Sequence, residues 1–148
     1  MKDDSRHNTP CYCLKLRTAA RMVTGIYDRA VSPFGLRVTQ FGLLSRFNRI
    51  GPLSMSELTD CMCLDRTTLV RNLAILQKQG LIESTPAPDR RAKVLRLTPA
   101  GSALMKKARP AWDKVQKQME EILPEQDRQA IDEILEKLLR ATGGPDEK

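Results

Sequence analysis

The chain has 148 residues, a net charge of +7, 41% hydrophobic residues and 29% charged residues, which predicts one soluble globular domain and excludes a disordered chain or two independent catalytic lobes. Its first ten residues hold two acids and no apolar run, and no apolar stretch approaches the roughly 18 residues of a membrane helix. We therefore expect a cytoplasmic protein without membrane contacts.

The positive charge is concentrated in the middle of the chain. Residues 36–97 hold ten Lys and Arg against five acids, whereas residues 98–148 hold nine against ten. A basic middle next to a neutral tail predicts that the middle binds a polyanion, the alternative being ordinary solubilising charge.

Two helices are predicted in the first third of the chain. Apolar residues recur at helical spacing from Leu14 to Ala30 and stop at the turn signal 32–35, which predicts the first helix. The second runs from about Val38 to Asn48 with Phe41, Leu44 and Phe47 on one face, and it ends near Gly51-Pro52.

The next two helices are short and close together. Ser54 and Glu57 have the spacing of a capping box, which opens a third helix through about Cys61. Asp65 is a suitable N-cap for a fourth helix that Gly80 closes. Its predicted apolar stripe is Leu69, Val70, Leu73 and Leu76, and its opposite face, which has no acid, holds Thr67, Thr68, Arg71, Ile75 and Lys78.

A hairpin and two long helices complete the chain. Residues 81–84 and 93–97 are predicted strands joined by a basic turn. Thr98 and Pro99 open a fifth helix through about Leu123, with a kink expected at Pro110. A sixth helix follows Pro124, ends at residues 142–144 and carries the apolar residues Ile131, Ile134, Leu135, Leu138 and Leu139. This order predicts a mainly α (α+β) fold, a winged helix-turn-helix with six helices and a two-stranded wing.

Such an arrangement presents its fourth helix to the major groove of double-stranded DNA. Arg71 is the candidate for reading a guanine edge, Thr67 and Thr68 for thymine methyls or phosphates, and Arg66 for a phosphate. Lys78 belongs to the same predicted surface. The alternative is an amphipathic helix with an idle outer face.

The predicted wing tip carries Asp89, Arg90 and Arg91. Two arginines at the end of a hairpin suit the negative potential of a minor groove, and Asp89 would orient one of them. The alternative is a solvated loop whose arginines bind nothing.

Four stretches, GLRVTQFGLLSRF, MSELTD, DRTTLVRNLAILQKQGLIE and PDRRAKVLRLTPAG, together with the closing helical pair, resemble the MarR family of bacterial transcription regulators over roughly residues 10–142. The resemblance implies a homodimer on a pseudo-palindromic operator, with Asp89 and Arg91 acting as a pair. It divides the single domain into a flexible tail (1–9), dimerisation helices (10–35 and 98–142) and a DNA-binding winged helix-turn-helix (36–97). The surplus of apolar residues in the last two helices also indicates a dimer.

The turn before the fourth helix departs from the family pattern. The family commonly has glycine there, in a sequence like R-L-G-L-D, whereas this chain has Cys61-Met62-Cys63-Leu64-Asp65. Because a residue with a Cβ tolerates positive φ poorly, the turn is either strained or differently shaped.

The four cysteines form two C-x-C pairs, Cys11 with Cys13 and Cys61 with Cys63. This spacing is a weak match to a zinc site, so we expect no metal. The stretch CLKLRTAARMVTGIY resembles the first helix of the organic-hydroperoxide-sensing branch, which implies that Cys13 is oxidised, with Tyr27 hydrogen-bonded to it. Cys11 is a candidate resolving thiol, although a ring closed between residues only two apart is strained. Arg17 stands where that branch has a second tyrosine. The alternative is cysteine as a small buried hydrophobe.

These features predict a sequence-specific DNA-binding repressor released by a small-molecule ligand or an oxidant. The expected effector pocket lies between the dimerisation helices and the winged region, near Arg17, Arg21, Tyr27 and Phe47. The alternative is a winged-helix module that binds protein instead of an operator. Catalysis and a cofactor are not expected, since the sole histidine, His7, lies in the tail and no phosphate loop or H-E-x-x-H site is present.

Overall fold

The computed structural model describes residues 9–88 and 92–143. Its elements are α1 (Tyr12–Val31), a 3-10 turn (Ser32–Phe34), α2 (Val38–Ile50), α3 (Met55–Met62), α4 (Arg66–Lys78), β1 (Ile82–Pro86), β2 (Lys93–Leu97), α5 (Pro99–Ile122) and α6 (Glu125–Thr142). The predicted six helices and two-stranded wing are confirmed. The predicted tail, residues 1–9, lies outside the described residues except for Thr9.

Side-chain caps set the beginnings of the helices in the winged region. Ser54 Oγ accepts from the Glu57 backbone N–H at 3.3 Å while Glu57 accepts from the Ser54 N–H at 2.7 Å, so the predicted capping box is confirmed. Asp28 of α1 accepts from the Val38 N–H at 2.7 Å and thereby joins the end of α1 to the start of α2. Thr98 caps α5 through the Gly101 N–H.

The two strands form an antiparallel hairpin in which Ile82 lies opposite Leu97 and Pro86 lies opposite Lys93. The predicted end of β1 at Ser84 is wrong by two residues, because pairing with β2 extends through Pro86 at the end of the strand. Leu53, just before α3, adds a single bridge to Leu95, with N–O distances of 2.9 and 2.8 Å. This bridge attaches the hairpin to the helix-turn-helix.

One hydrophobic core joins the end of α1, α2, α3, α4, the hairpin and the first half of α5. Its fully buried side chains include Leu43, Leu44, Leu58, Leu69, Leu76 and Ile82. Gly101 of α5 lies directly against the Leu81 carbonyl, so that a Cβ at this position would clash with the backbone. The close contact fixes α5 against the junction of α4 and β1, and α5 then continues without interruption through Pro110.

Val70 does not belong to this core, and its assignment to the apolar stripe of α4 is wrong. Its side chain is 46% exposed, whereas Leu69, Leu73 and Leu76 are buried. At about 100° per residue, Val70 is turned well outside the arc that those three leucines span. The helix therefore presents an apolar side chain on its outer surface.

The last helix makes little use of its apolar residues within one chain. No described residue of α6 is buried, and Ile131 and Leu135 are each 50% exposed. Tyr12, Leu14 and Leu16 near the start of α1 are exposed as well. Among the described helices, none is both long enough and apolar enough to cross a membrane.

Candidate nucleic-acid interface

The fourth helix begins at a well-formed cap. Asp65 Oδ1 accepts from the Thr68 backbone N–H at 2.8 Å. The side chain and backbone of Thr68 both hydrogen-bond the carboxylate and lower the pKa of Asp65, with a smaller contribution from the positive charge of Arg71. The one carboxylate at this end of α4 is thus engaged by the helix itself.

The buried leucines decide which face of α4 meets solvent. Because Leu69, Leu73 and Leu76 pack into the core, the helix cannot rotate about its axis without exposing them. Of the predicted DNA-contacting residues, Thr68 is half-buried at the edge of the outer face, and four are exposed: Arg66, Thr67, Arg71 and Lys78.

The charge of this face has one sign. The residues of α4 include Arg66, Arg71 and Lys78 and no acid. None of the described ion pairs involves these three side chains. The N-terminus of the helix adds a partial positive charge. A surface of this kind attracts an anion along its whole length.

The turn that leads into α4 has an unusual backbone. Cys63 has φ 50° and ψ 34°, and it is the one residue other than glycine with positive φ in residues 9–88 and 92–143. Cys63 thus takes the left-handed backbone that a residue with a Cβ disfavours, which corresponds to the strained alternative for this turn. Arg46 of α2 donates to the Cys61 carbonyl at 3.3 Å and so ties the end of α3 to α2.

The structure describes both strands of the wing. Glu83 and Arg96 lie opposite each other and form an ion pair, with the Arg96 Nε 2.7 Å from Glu83 Oε1. The predicted contacts at the tip, Asp89, Arg90 and Arg91, lie outside the described residues. β1 ends at Pro86, before these three residues, and β2 begins at Lys93, after them.

The predicted redox residues are spread along α1 rather than gathered. Cys11 and Cys13 are exposed, and so is Cys63, so the alternative of a buried small hydrophobe is wrong for these three in the single chain. Tyr27 donates to Gln116 Oε1 at 2.6 Å. The implied hydrogen bond to Cys13 is not formed within one chain, because 27 − 13 = 14 helical positions separate the residues by about 21 Å.

The predicted effector residues do not share one cavity. Tyr27 lines a largely apolar groove of about 660 Å³ between α1, α5 and α6. Burial raises the pKa of Tyr27, and the negative charge of Glu120 adds to the effect. Phe47 is buried in the core and borders a different cavity, of about 470 Å³, at the base of the hairpin. Arg17 and Arg21 are exposed on α1 and line neither cavity.

Sequence reasoning missed the contact that joins α1 to the winged region through α5. Trp112 stacks on Phe41 with ring centroids 5.8 Å apart and lies 6.0 Å from the Tyr27 ring. The signal for it was helical spacing, since Ala108, Trp112 and Gln116 recur every four residues on the inner face of α5. No group of three or more potential metal-ligating side chains is found within the described ranges.

Comparison with known proteins agrees with this geometry. A family model described as the MarR family matches residues 34–92. The multiple antibiotic resistance protein MarR of Salmonella typhimurium is 32% identical over 91 residues, which are 60% of this chain and 63% of that protein. The uncharacterized HTH-type transcriptional regulator YwoH of Bacillus subtilis is 25% identical over 84 residues, 57% of this chain and 61% of that protein. The matches thus span about three fifths of these curated relatives.

A solved structure covers more of the chain. The transcriptional regulator MosR of M. tuberculosis is 35% identical with a TM-score of 0.76, over 89% of this chain and 97% of that one. A second crystal structure shows MosR in complex with DNA, again at 35% identity and a TM-score of 0.76, over 88% of this chain and 95% of that one. These relatives are regulators of transcription, in agreement with the sequence argument against catalysis.

Proposed function

Since the chain belongs to the MarR family of winged-helix, DNA-binding transcriptional regulators, we propose that it represses transcription as a homodimer bound to a pseudo-palindromic operator. The observation that carries this proposal is the outer face of α4, which is cationic, free of acids and held outward by three buried leucines. MosR, which is similar over most of the chain, has been crystallised with DNA.

The exposed side chains of α4 suggest a division of contacts. Arg71 lies in the middle of the face, where a guanidinium reads guanine O6 and N7 with two hydrogen bonds. Thr67 and Thr68 lie one turn earlier and contact a thymine methyl or a phosphate. Arg66 and Lys78 lie at the two ends of the helix and bind phosphates, which sets register but not sequence.

The wing supplies a second set of contacts. We assign Arg90 and Arg91 to the minor groove beside the major-groove site, with Asp89 orienting one arginine. The described part of the hairpin supports this assignment, because the Glu83–Arg96 ion pair joins its two strands and the Leu53–Leu95 bridge attaches them to the helix-turn-helix.

Dimerisation is assigned to residues 10–35 and 98–142, and DNA binding to residues 36–97. The support is the half-exposed apolar side of α6 and the exposed apolar residues Tyr12 and Leu14 at the start of α1. A single chain leaves these surfaces in water, whereas a second copy buries them at roughly 25 cal/mol per Å² of apolar area.

Release from the operator is assigned to an oxidant or a small molecule. Cys11 and Cys13 are exposed at the start of α1 in the single chain. A hydroperoxide transfers one oxygen atom to the Cys13 sulfur, which gives a sulfenic acid and an alcohol, and the Cys11 thiol then attacks that sulfur to form a disulfide and release water. A small molecule would instead occupy the groove beside Tyr27. Either event acts by changing the distance between the two copies of α4, which must both fit the operator.

The test is operator selection from random DNA, followed by affinity measurements with the native protein and with Arg71→Ala. We expect Arg71→Ala to cost about 1–3 kcal/mol per half-site and to lose preference for one guanine. Arg66→Ala should weaken all sequences alike and reduce the dependence of log affinity on log salt by about 0.9 for each phosphate that the protein no longer binds.

Arg140→Ala is the matched control, because Arg140 is an exposed arginine on the side of α6 opposite its apolar residues. Its affinity should equal that of the native protein. Unchanged sequence preference in Arg71→Ala would disprove the assignment of α4. Failure to select any sequence would favour the alternative, a winged-helix module that binds an acidic protein.

A further inference from the structure

We propose that Val70 is a specificity-determining residue that contacts the methyl group of one thymine in each half-site. This inference rests on the proposed function and adds a base contact to it. It starts from the exposure of Val70, at 46%, on a helix whose other large exposed apolar residue is Ile75, at 37%. Nothing in the core of the protein requires a branched apolar side chain at this position.

Helix geometry places Val70 beside the proposed guanine-reading residue. Val70 lies on a ridge with Arg66 and Ala74, four residues away on either side. The adjoining ridge carries Thr67 and Arg71. Because Ala74 extends no further than its Cβ, the turn after Val70 offers little obstruction to a close approach of the base edges.

The positive charge of α4 favours nucleic acid as the partner of this apolar side chain. Arg66 and Arg71 flank Val70, and the helix has no acid that would favour a basic or neutral protein surface. A protein partner for a valine would normally offer an apolar pocket, and charged residues are depleted from the core of such interfaces. The major groove of DNA offers a thymine methyl group close to negatively charged phosphates. The methyl group suits Val70, and the phosphates suit the two arginines beside it.

The chemistry of valine narrows the choice of base. Its side chain has neither donor nor acceptor, so it cannot hydrogen-bond a guanine, adenine or cytosine edge. The apolar feature that the four standard bases display in the major groove is the C5 methyl of thymine. A β-branched side chain in a helix is held mainly in one χ1 rotamer, so its two methyls are oriented before DNA arrives. Val70 therefore favours thymine next to the base pair that Arg71 reads.

The experiment replaces thymine by uracil, which pairs identically but lacks the methyl group. The selected operator is synthesised with one dT at a time changed to dU in both half-sites, and affinity is measured for the full-length protein. At one position the affinity of the native protein should fall about fourfold per half-site, the value for about one buried methyl group, or roughly sixteenfold for both.

Two variants assign that decrease to Val70. Val70→Ala should bind the dT and dU operators equally, whereas Val70→Thr, which keeps one methyl and the branched shape, should retain part of the preference. Arg71→Ala should bind weakly to both yet keep their ratio, which separates the two contacts. Because Val70 is exposed, these variants should keep the native Tm, and thermal unfolding monitors this directly.

The outcomes separate this inference from the proposed function. Operator binding that depends on Arg71 but shows no sensitivity to uracil at any position would overturn the Val70 contact and leave the function standing. A selected operator without thymine beside the Arg71-dependent guanine would also overturn it. Failure to select an operator would instead overturn the function.

Discussion

At the scale of single residues, the turn before α4 depends on Cys63. Its backbone occupies the left-handed region, with φ 50°, where a Cβ approaches the following carbonyl oxygen at a cost of about 1 kcal/mol. Cys61, two residues earlier, is half-buried inside α3 and packs against the core. The two cysteines thus have the same side chain, but the backbone of Cys61 is helical and that of Cys63 is left-handed.

Cys63→Gly should therefore raise the free energy of unfolding by up to about 1 kcal/mol, since glycine adopts positive φ without a steric cost. Cys61→Gly is the matched control and should lower it by about 1 kcal/mol or more, as glycine does inside a helix. Urea unfolding at constant pH under reducing conditions measures both. A loss of stability in Cys63→Gly would contradict strain in this turn.

The sequence left two outcomes open for the turn at Cys63, a strained backbone or a different shape. The absence of the family's glycine shows which position is affected, but it does not show which φ and ψ the residue there adopts. The rule that an apolar residue of a helical repeat is buried is wrong for Val70, because its angle around the helix lies outside the arc of the buried leucines. The Tyr27–Gln116 hydrogen bond joins residues 89 positions apart, a distance in sequence that spacing rules do not reach.

At the scale of elements, α4 owes its start to an ionised cap. Hydrogen bonds from Thr68 lower the pKa of Asp65, so the folded protein holds the carboxylate more readily ionised than the unfolded chain does. The stabilisation is complete above the unfolded-state pKa of about 3.9 and is lost as pH falls through the lower folded-state pKa. The cap, and with it the first turn of α4, therefore weakens in acid.

Asp65→Asn tests this dependence, because asparagine keeps an acceptor oxygen but has no charge to titrate. The native protein should have the higher Tm at pH 7, since its carboxylate also interacts with the helix dipole. The difference in Tm should shrink towards zero as pH falls below about 4. Circular dichroism melts of both proteins at matched pH measure it, and a difference independent of pH would contradict an ionised cap.

Most element boundaries followed from such local chemistry. Ser54 with Glu57, Asp65 and Thr98 are sequence signals whose hydrogen bonds the structure contains, which is why α3, α4 and α5 begin where predicted. The end of β1 and the Leu53–Leu95 bridge were not predicted, because they depend on which segments meet in space.

At the scale of the whole molecule, the proposed operator binding requires two copies. The half-exposed Ile131 and Leu135 of α6, and the exposed Tyr12 and Leu14 of α1, are costly in a single chain. The sequence predicted this surplus, since it carries more apolar residues in the last helices than one winged domain covers. It did not predict how far apart the two copies of α4 lie, which is a property of the assembled pair.

The measurement that bears most directly on this pairing is operator affinity as the spacing between half-sites is changed. Inserting five base pairs between the half-sites turns one of them by about half a helical turn, so that one dimer no longer reaches both. We predict that the affinity then falls about 100-fold or more, towards that for unrelated DNA. An affinity unchanged by the insertion would contradict the claim that two copies of α4 read the operator together.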